Sequence, residues 1–145
     1  GMSVREMTIR DFVEISTILR ALQQFAVGEL IRRGDPIDLT EIRRLHREER
    51  ATVSDPWKSL ELNIELHSAI IDLICNKRMT AMARNMSDQI MLAGYMSSSW
   101  DFENALEQVY EEHEAIIRAL ENRDQAAFEQ ALREHDENAL QRMLR

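Results

Sequence analysis

Three histidines stand where the surrounding sequence is apolar. His67 follows Asn63 by four residues, so the two share one helix face, and that face continues as Ile70, Ile71 and Ile74. His113 lies between Leu106 and Val109 on one side and Ile116, Ile117 and Leu120 on the other. His135 lies between Phe128, Leu132, Ala139 and Met143. All three point inward, from three different helices. Burying several imidazoles without partners costs kilocalories each. A divalent cation removes that cost, because neutral imidazole is a good ligand for Zn, Ni and similar ions. Asn63, one turn from His67, adds an oxygen donor. Three histidines and one oxygen, with positions left for water or a ligand, describe an open metal site. Beside this stands the plainer reading, that each is a satisfied core histidine. The fourth histidine, His46, sits among Arg43, Arg44 and Arg47 and reads as a surface residue, and this basic cluster, interrupted by Glu41, Glu48 and Glu49, reads as a solvated helix face.

Catalytic motifs are absent from this pattern. There is no H-E-x-x-H, and the residues three before His67, His113 and His135 are Ile64, Tyr110 and Leu132, which removes the zinc-peptidase and di-iron carboxylate arrangements. No glycine-rich phosphate loop or G-x-S-x-G elbow occurs. Glu112 and Glu114 flank His113, and neighbours of an inward residue are expected to point away from the core. The chain reads as a non-enzyme.

The elements that must position these residues are six helices. The first runs from about Thr8 to Arg33 and is stopped by Gly34-Asp35-Pro36. The second begins near Asp38 or Thr40 and dissolves around Thr52. Asp55-Pro56 starts the third, a capping carboxylate followed by proline at the first helical position, and it continues to about Cys75. Asn76-Lys77 marks a turn into a methionine-rich fourth helix, Arg78 to about Ser97, whose Met79, Met82, Met86, Met91 and Met96 read as adaptable packing surface. Arg84, Gln89 and Tyr95 are candidates for a pocket wall. After the break at Ser97-Ser98-Ser99, the fifth helix runs from near Asp101 to Glu121. The sixth runs from an Asp124 N-cap to about Leu144. The tight link between these two makes them antiparallel. His113 is ten residues before Arg123 and His135 twelve after it, so at ~1.5 Å per residue they stand ~15 and ~18 Å from the turn, almost level. No strand pattern or internal repeat is present. The fold class is an all-α antiparallel bundle.

With 145 residues, 44% hydrophobic and 30% charged, the chain has the size and balance of one globular domain. A net charge of −8 gives it no electrostatic footprint for phosphate backbones, so alone it should not bind DNA. No stretch approaches the ~20 apolar residues of a membrane span. The single cysteine, Cys75, reads as a reduced core residue of a cytoplasmic protein.

Four blocks of the sequence, at 10–15, 22–26, 63–76 and 112–135, resemble the FCD-type C-terminal effector-binding domain of the FadR subfamily of GntR transcription regulators. Arg10-Asp11-Phe12-Val13-Glu14-Ile15 resembles the start of that domain's first helix, and Leu22-Gln23 with Ala26 resembles its "R-x-x-L-E-x-x-A" segment. Asn63 to Ile70 resembles "D-x-x-F-H-x-x-I", followed by the matching Asn76. Glu112 to Leu120, then Asp124, Ala127, Ala131 and His135, resembles "E-H-x-x-I-x-x-A-I…D…A…H". The resemblance implies a dimeric bacterial sensor domain that binds a small carboxylate metabolite above a divalent metal, Zn or Ni. Its ligands carry over to Asn63, His67, His113 and His135. Binding would reach DNA only through a winged-helix domain not present in this chain. Residues 1–7 then read as a tag remnant or linker from such a domain, and 8–145 as the effector-binding and dimerisation domain. Asn63 replaces the family's frequent Asp, Leu19 stands where it has Arg, and Gln23 where it has Glu. A metal-dependent enzyme in a helical bundle and a structural interaction module with core histidines are the competing functions.

Overall fold

The computed structural model describes residues 7–52, 55–96 and 102–144, with the backbone alone for 93–96 and 102–104. Helix α1 spans Ile9–Arg33, α2 Thr40–Arg50, α3 Pro56–Asp72, α4 Lys77–Met96, α5 Phe102–Glu121 and α6 Gln125–Leu144. The expected Ser97-Ser98-Ser99 break and Asp101 helix start fall outside the described residues. Among those described there is no strand, and the all-α bundle read from the sequence is the observed fold.

Local chemistry sets most boundaries. Thr8 caps α1 through a capping box, its hydroxyl accepting from the Asp11 amide while the Asp11 carboxylate accepts from the Thr8 amide, both at 3.0 Å. Gly34 ends the helix at φ 72°, the left-handed conformation that a residue without Cβ adopts at no steric cost. Asp55 caps α3, with Pro56 at its first position. Asn76 caps α4, its side-chain oxygen accepting from the amides of Arg78 and Met79. Asp124 caps α6, accepting from the Ala127 amide at 3.0 Å. An Asp124→Ala variant is expected to lose about 1 kcal/mol, lowering Tm by roughly 2–4 °C in a thermal melt. An unchanged Tm would show that this cap contributes nothing.

Helix α3 packs against α1, α2 and α4, while α5 packs against α6 and α2. The main core joins Leu62, Leu66 and Ile70 of α3 to Ile116, Ile117 and Leu120 of α5 and to Phe128 and Leu132 of α6. Leu62 and Leu66 are buried beside the face that carries Asn63 and His67, so α3, with helices on several sides, is buried on more than one face. At the α5–α6 turn Arg123 adopts φ 52° and donates to the carbonyls of Asp35 and Leu30, fastening that turn to the end of α1.

Two expectations fail here. Cys75 is exposed rather than in the core: α3 stops at Asp72, and Cys75 takes φ 56° in the link to α4. The methionines of α4 do not form one packed stripe, since Met79 is buried but Met82 is half exposed. No helix among the described residues is long and apolar enough to cross a membrane.

Candidate metal centre

His67 from α3, His113 from α5 and His135 from α6 meet in the interior. The Nε2 of His135 lies 3.1 Å from that of His67 and 3.3 Å from that of His113. One nitrogen from each ring can be chosen so that all lie within 4.8 Å of one another. His113 and His135 are buried, and His67 is partly open to a cavity.

The opposite edge of each ring explains the orientation. His67 Nδ1–H donates to Gln23 Oε1 at 2.8 Å, and Gln23 is itself fixed because its amide N–H donates to the Leu19 carbonyl. His113 Nδ1 shares a hydrogen bond with Glu49 Oε1 at 2.6 Å, and His135 Nδ1–H donates to Glu112 Oε1 at 2.6 Å. A neutral ring with its proton on Nδ1 directs an Nε2 lone pair at this shared point. Burial, followed by the neighbouring imidazoles, holds His67 well below the ordinary histidine value. Burial, then the charge of His46, brings His113 down to about 3. Burial also lowers His135, against its hydrogen bond to Glu112. Three Nε2 atoms facing one another at this separation form a donor set suited to a cation.

Asn63 adds a further sign. Its Oδ1 is buried without a hydrogen-bond partner, an acceptor left for something the protein itself does not provide. Asn63, His67 and His135 all line a cavity of about 380 Å³, while His113 lies behind them. Helix α1 supplies Phe12, Ser16, Leu19 and Gln23 to its wall, and α4 supplies Ser87 and Ile90. Arg84 and Gln89 point to solvent instead, and the Tyr95 side chain is outside the described residues.

Three residues in this region differ from the sequence expectation. Glu112 does not point away from the core: burial would raise its carboxyl, but hydrogen bonds from His135 and Arg142 outweigh that and hold it at about 2. Glu49, read as part of a solvated charged face, is buried, and desolvation raises it to about 7. His46 is buried rather than on the surface, stacked on the Tyr110 ring at 4.0 Å with its Nε2 3.1 Å from the Tyr110 carbonyl. Helical spacing carried the signal for all three. Ile42, Leu45, His46 and Glu49 form one i, i+3, i+4, i+7 stripe, as do Val109, Glu112, His113 and Ile116.

The depressed imidazoles make the metal-free domain sensitive to acid. They stay neutral in the fold while the unfolded chain takes up protons below pH ~6.5, so their contribution is present above that pH and is lost as pH falls. For His113 the loss is about 2 kcal/mol by pH 5. Glu49, raised to about 7, and Asp136, also raised by burial, act oppositely and offset part of this loss. The Tm of chelator-treated protein is therefore expected to fall from pH 7 to pH 5, the three imidazoles outweighing the two carboxyls. A level or rising Tm would contradict this.

Among known proteins, the model of the FCD domain matches residues 14–138, a span that includes Asn63 and all three converging histidines. A relative described as the uncharacterized HTH-type transcriptional regulator YdhC, from Bacillus subtilis (strain 168), is 23% identical over 138 residues. The alignment covers 93% of this chain and 61% of that protein, so the chain spans less than two thirds of the relative's length. No solved structure matches. Since the family model takes in most of the sequence, helices and histidines alike, the chain belongs to the FCD domain family.

Proposed function

We propose that the chain is the ligand-sensing domain of a GntR/FadR-type transcription regulator, with a divalent cation, Zn or Ni, held by Asn63, His67, His113 and His135. The observation carrying this reading is the convergence of three Nε2 atoms, each backed by an acceptor on its Nδ1. A bound cation would supply the positive charge that holds the carboxylate of a small organic acid in the adjoining cavity. Gln23, Glu49 and Glu112 fix the ring orientations and keep the Nε2 lone pairs free.

Relay to DNA would pass through α1. That helix forms one wall of the cavity and is tied to α6 by the Arg20–Asp136 ion pair at 3.0 Å, next to His135. An acid that contacts α1 more favourably in one arrangement of the bundle biases the domain toward it. A winged-helix domain outside this chain, brought together in a homodimer, would read that bias as a change in operator spacing. The chain acts by binding rather than by turnover, in the cytoplasm.

The test is elemental analysis of protein purified without a polyhistidine tag, together with a thermal-shift screen of small carboxylates. About one Zn or Ni per chain and a Tm raised by particular acids are expected. Metal-free protein indifferent to both would overturn the reading. Removing one ring-orienting group should also show: Glu112→Gln is expected to weaken Zn²⁺ binding by roughly 10–100-fold. Unchanged affinity would mean that Glu112 serves only Arg142.

A further inference from the structure

With Glu49 and Glu112 both ionised, the charges around the imidazoles sum to about minus one. Glu49 and Glu112 place two carboxylates behind the rings, and Arg142 sits on Glu112 with Nη2 at 3.0 Å. A divalent cation in their midst leaves about one positive charge, which a single carboxylate neutralises. No second anchor is free among the described residues lining the cavity. Arg142 is its one arginine, and its guanidinium already donates to Glu112 and Gln108. The other charged lining group, Asp136, is negative and is occupied by Arg20.

Several of the polar lining groups are consumed as well, while the Ser16 and Ser87 hydroxyls remain available. Gln23 bonds to His67 and Leu19, the Ser59 hydroxyl donates to the Thr52 carbonyl, and the Gln108 oxygen accepts from Arg142. The rest of the wall is dominated by side chains such as Leu60, Ile64, Ile90, Leu106, Val109 and Met143. A volume of about 380 Å³ is at the small end for ligand sites and gives room for a molecule of about a dozen non-hydrogen atoms.

We infer that this cavity selects a monocarboxylate with an apolar body, and rejects dicarboxylates and polyhydroxylated sugar acids. The inference rests on the metal centre proposed above. The carboxylate sits at the His67–His135 end and the apolar body lies along the α4–α5 side. A second carboxylate would be buried beside Asp136 without a counter-charge, and a row of hydroxyls would lose water for few partners.

Isothermal titration calorimetry on the zinc-loaded domain tests this with octanoate, suberate (the same chain with a carboxylate at each end) and gluconate. Octanoate is expected to bind about tenfold or more tightly than either of the others, and to lose that affinity in metal-free protein. Suberate or gluconate binding as tightly as octanoate would overturn the selectivity while leaving the metal-dependent sensor intact. Octanoate binding equally well without zinc would overturn the inference, since the carboxylate would not be anchored at the histidines. Zinc-loaded protein that binds none of the three would overturn it too, and failure to take up zinc at all would overturn the sensor reading with it.

Discussion

Replacing His135 with alanine is expected to weaken Zn²⁺ binding by more than a hundredfold in competition against a chromophoric chelator. His135 is the middle of the three rings, its Nε2 lying 3.1 Å from that of His67 and 3.3 Å from that of His113. Loss of a hydrogen bond behind a ligand costs ~10–100-fold in metal affinity, and loss of the ligand itself should exceed that. Glu112 would keep Arg142 as a partner, so the substitution strands no carboxylate. The metal-free variant should therefore retain its helical circular dichroism, which separates loss of the site from loss of the fold. Zn²⁺ affinity within threefold of the unsubstituted protein would remove His135 from the ligand set.

Stripping the metal is the second large effect. A ligand that binds only the folded state stabilises it by about 4 kcal/mol when present at ~1,000 times its Kd. For a domain of this size each kcal/mol moves Tm by roughly 2–4 °C, so a strong chelator should lower Tm by about 8–16 °C. Adding back Zn²⁺ or Ni²⁺ should restore it, whereas Mg²⁺ should not, because imidazole-rich sites favour the former. A Tm unmoved by chelation of protein shown to contain metal would mean that the ion sits outside the interior site.

The helices were legible because their ends carry strong local signals. Thr8, Gly34, Asp55-Pro56 and Asp124 each act within three or four residues of themselves, so no tertiary information was needed to read them. The convergence of His67, His113 and His135 was legible for a related reason: polar residues on apolar stripes, at matched depth from tight turns, have few other places to go. Glu49, Glu112 and His46 escaped because their neighbours in sequence are charged. Side-chain direction on a helix follows i, i+3 and i+4 rather than adjacent residues, and on that period all three belong to buried faces. Cys75 erred the other way, since an apolar run does not reveal that α3 stops at Asp72 and that the chain turns there. The cavity had no sequence signature of its own. It is the space left between α1, α3, α4, α5 and α6, and its lining mixes serines and alanines with larger apolar groups that any core would contain.

X-ray absorption at the metal edge of protein purified without a polyhistidine tag tests the three-imidazole centre most directly. The account predicts a first shell of nitrogen and oxygen only, with imidazole nitrogens at about 2.0–2.1 Å and a clear loss of imidazole scattering in His113→Ala. A sulfur shell, an all-oxygen shell, or a spectrum unchanged by that substitution would contradict it.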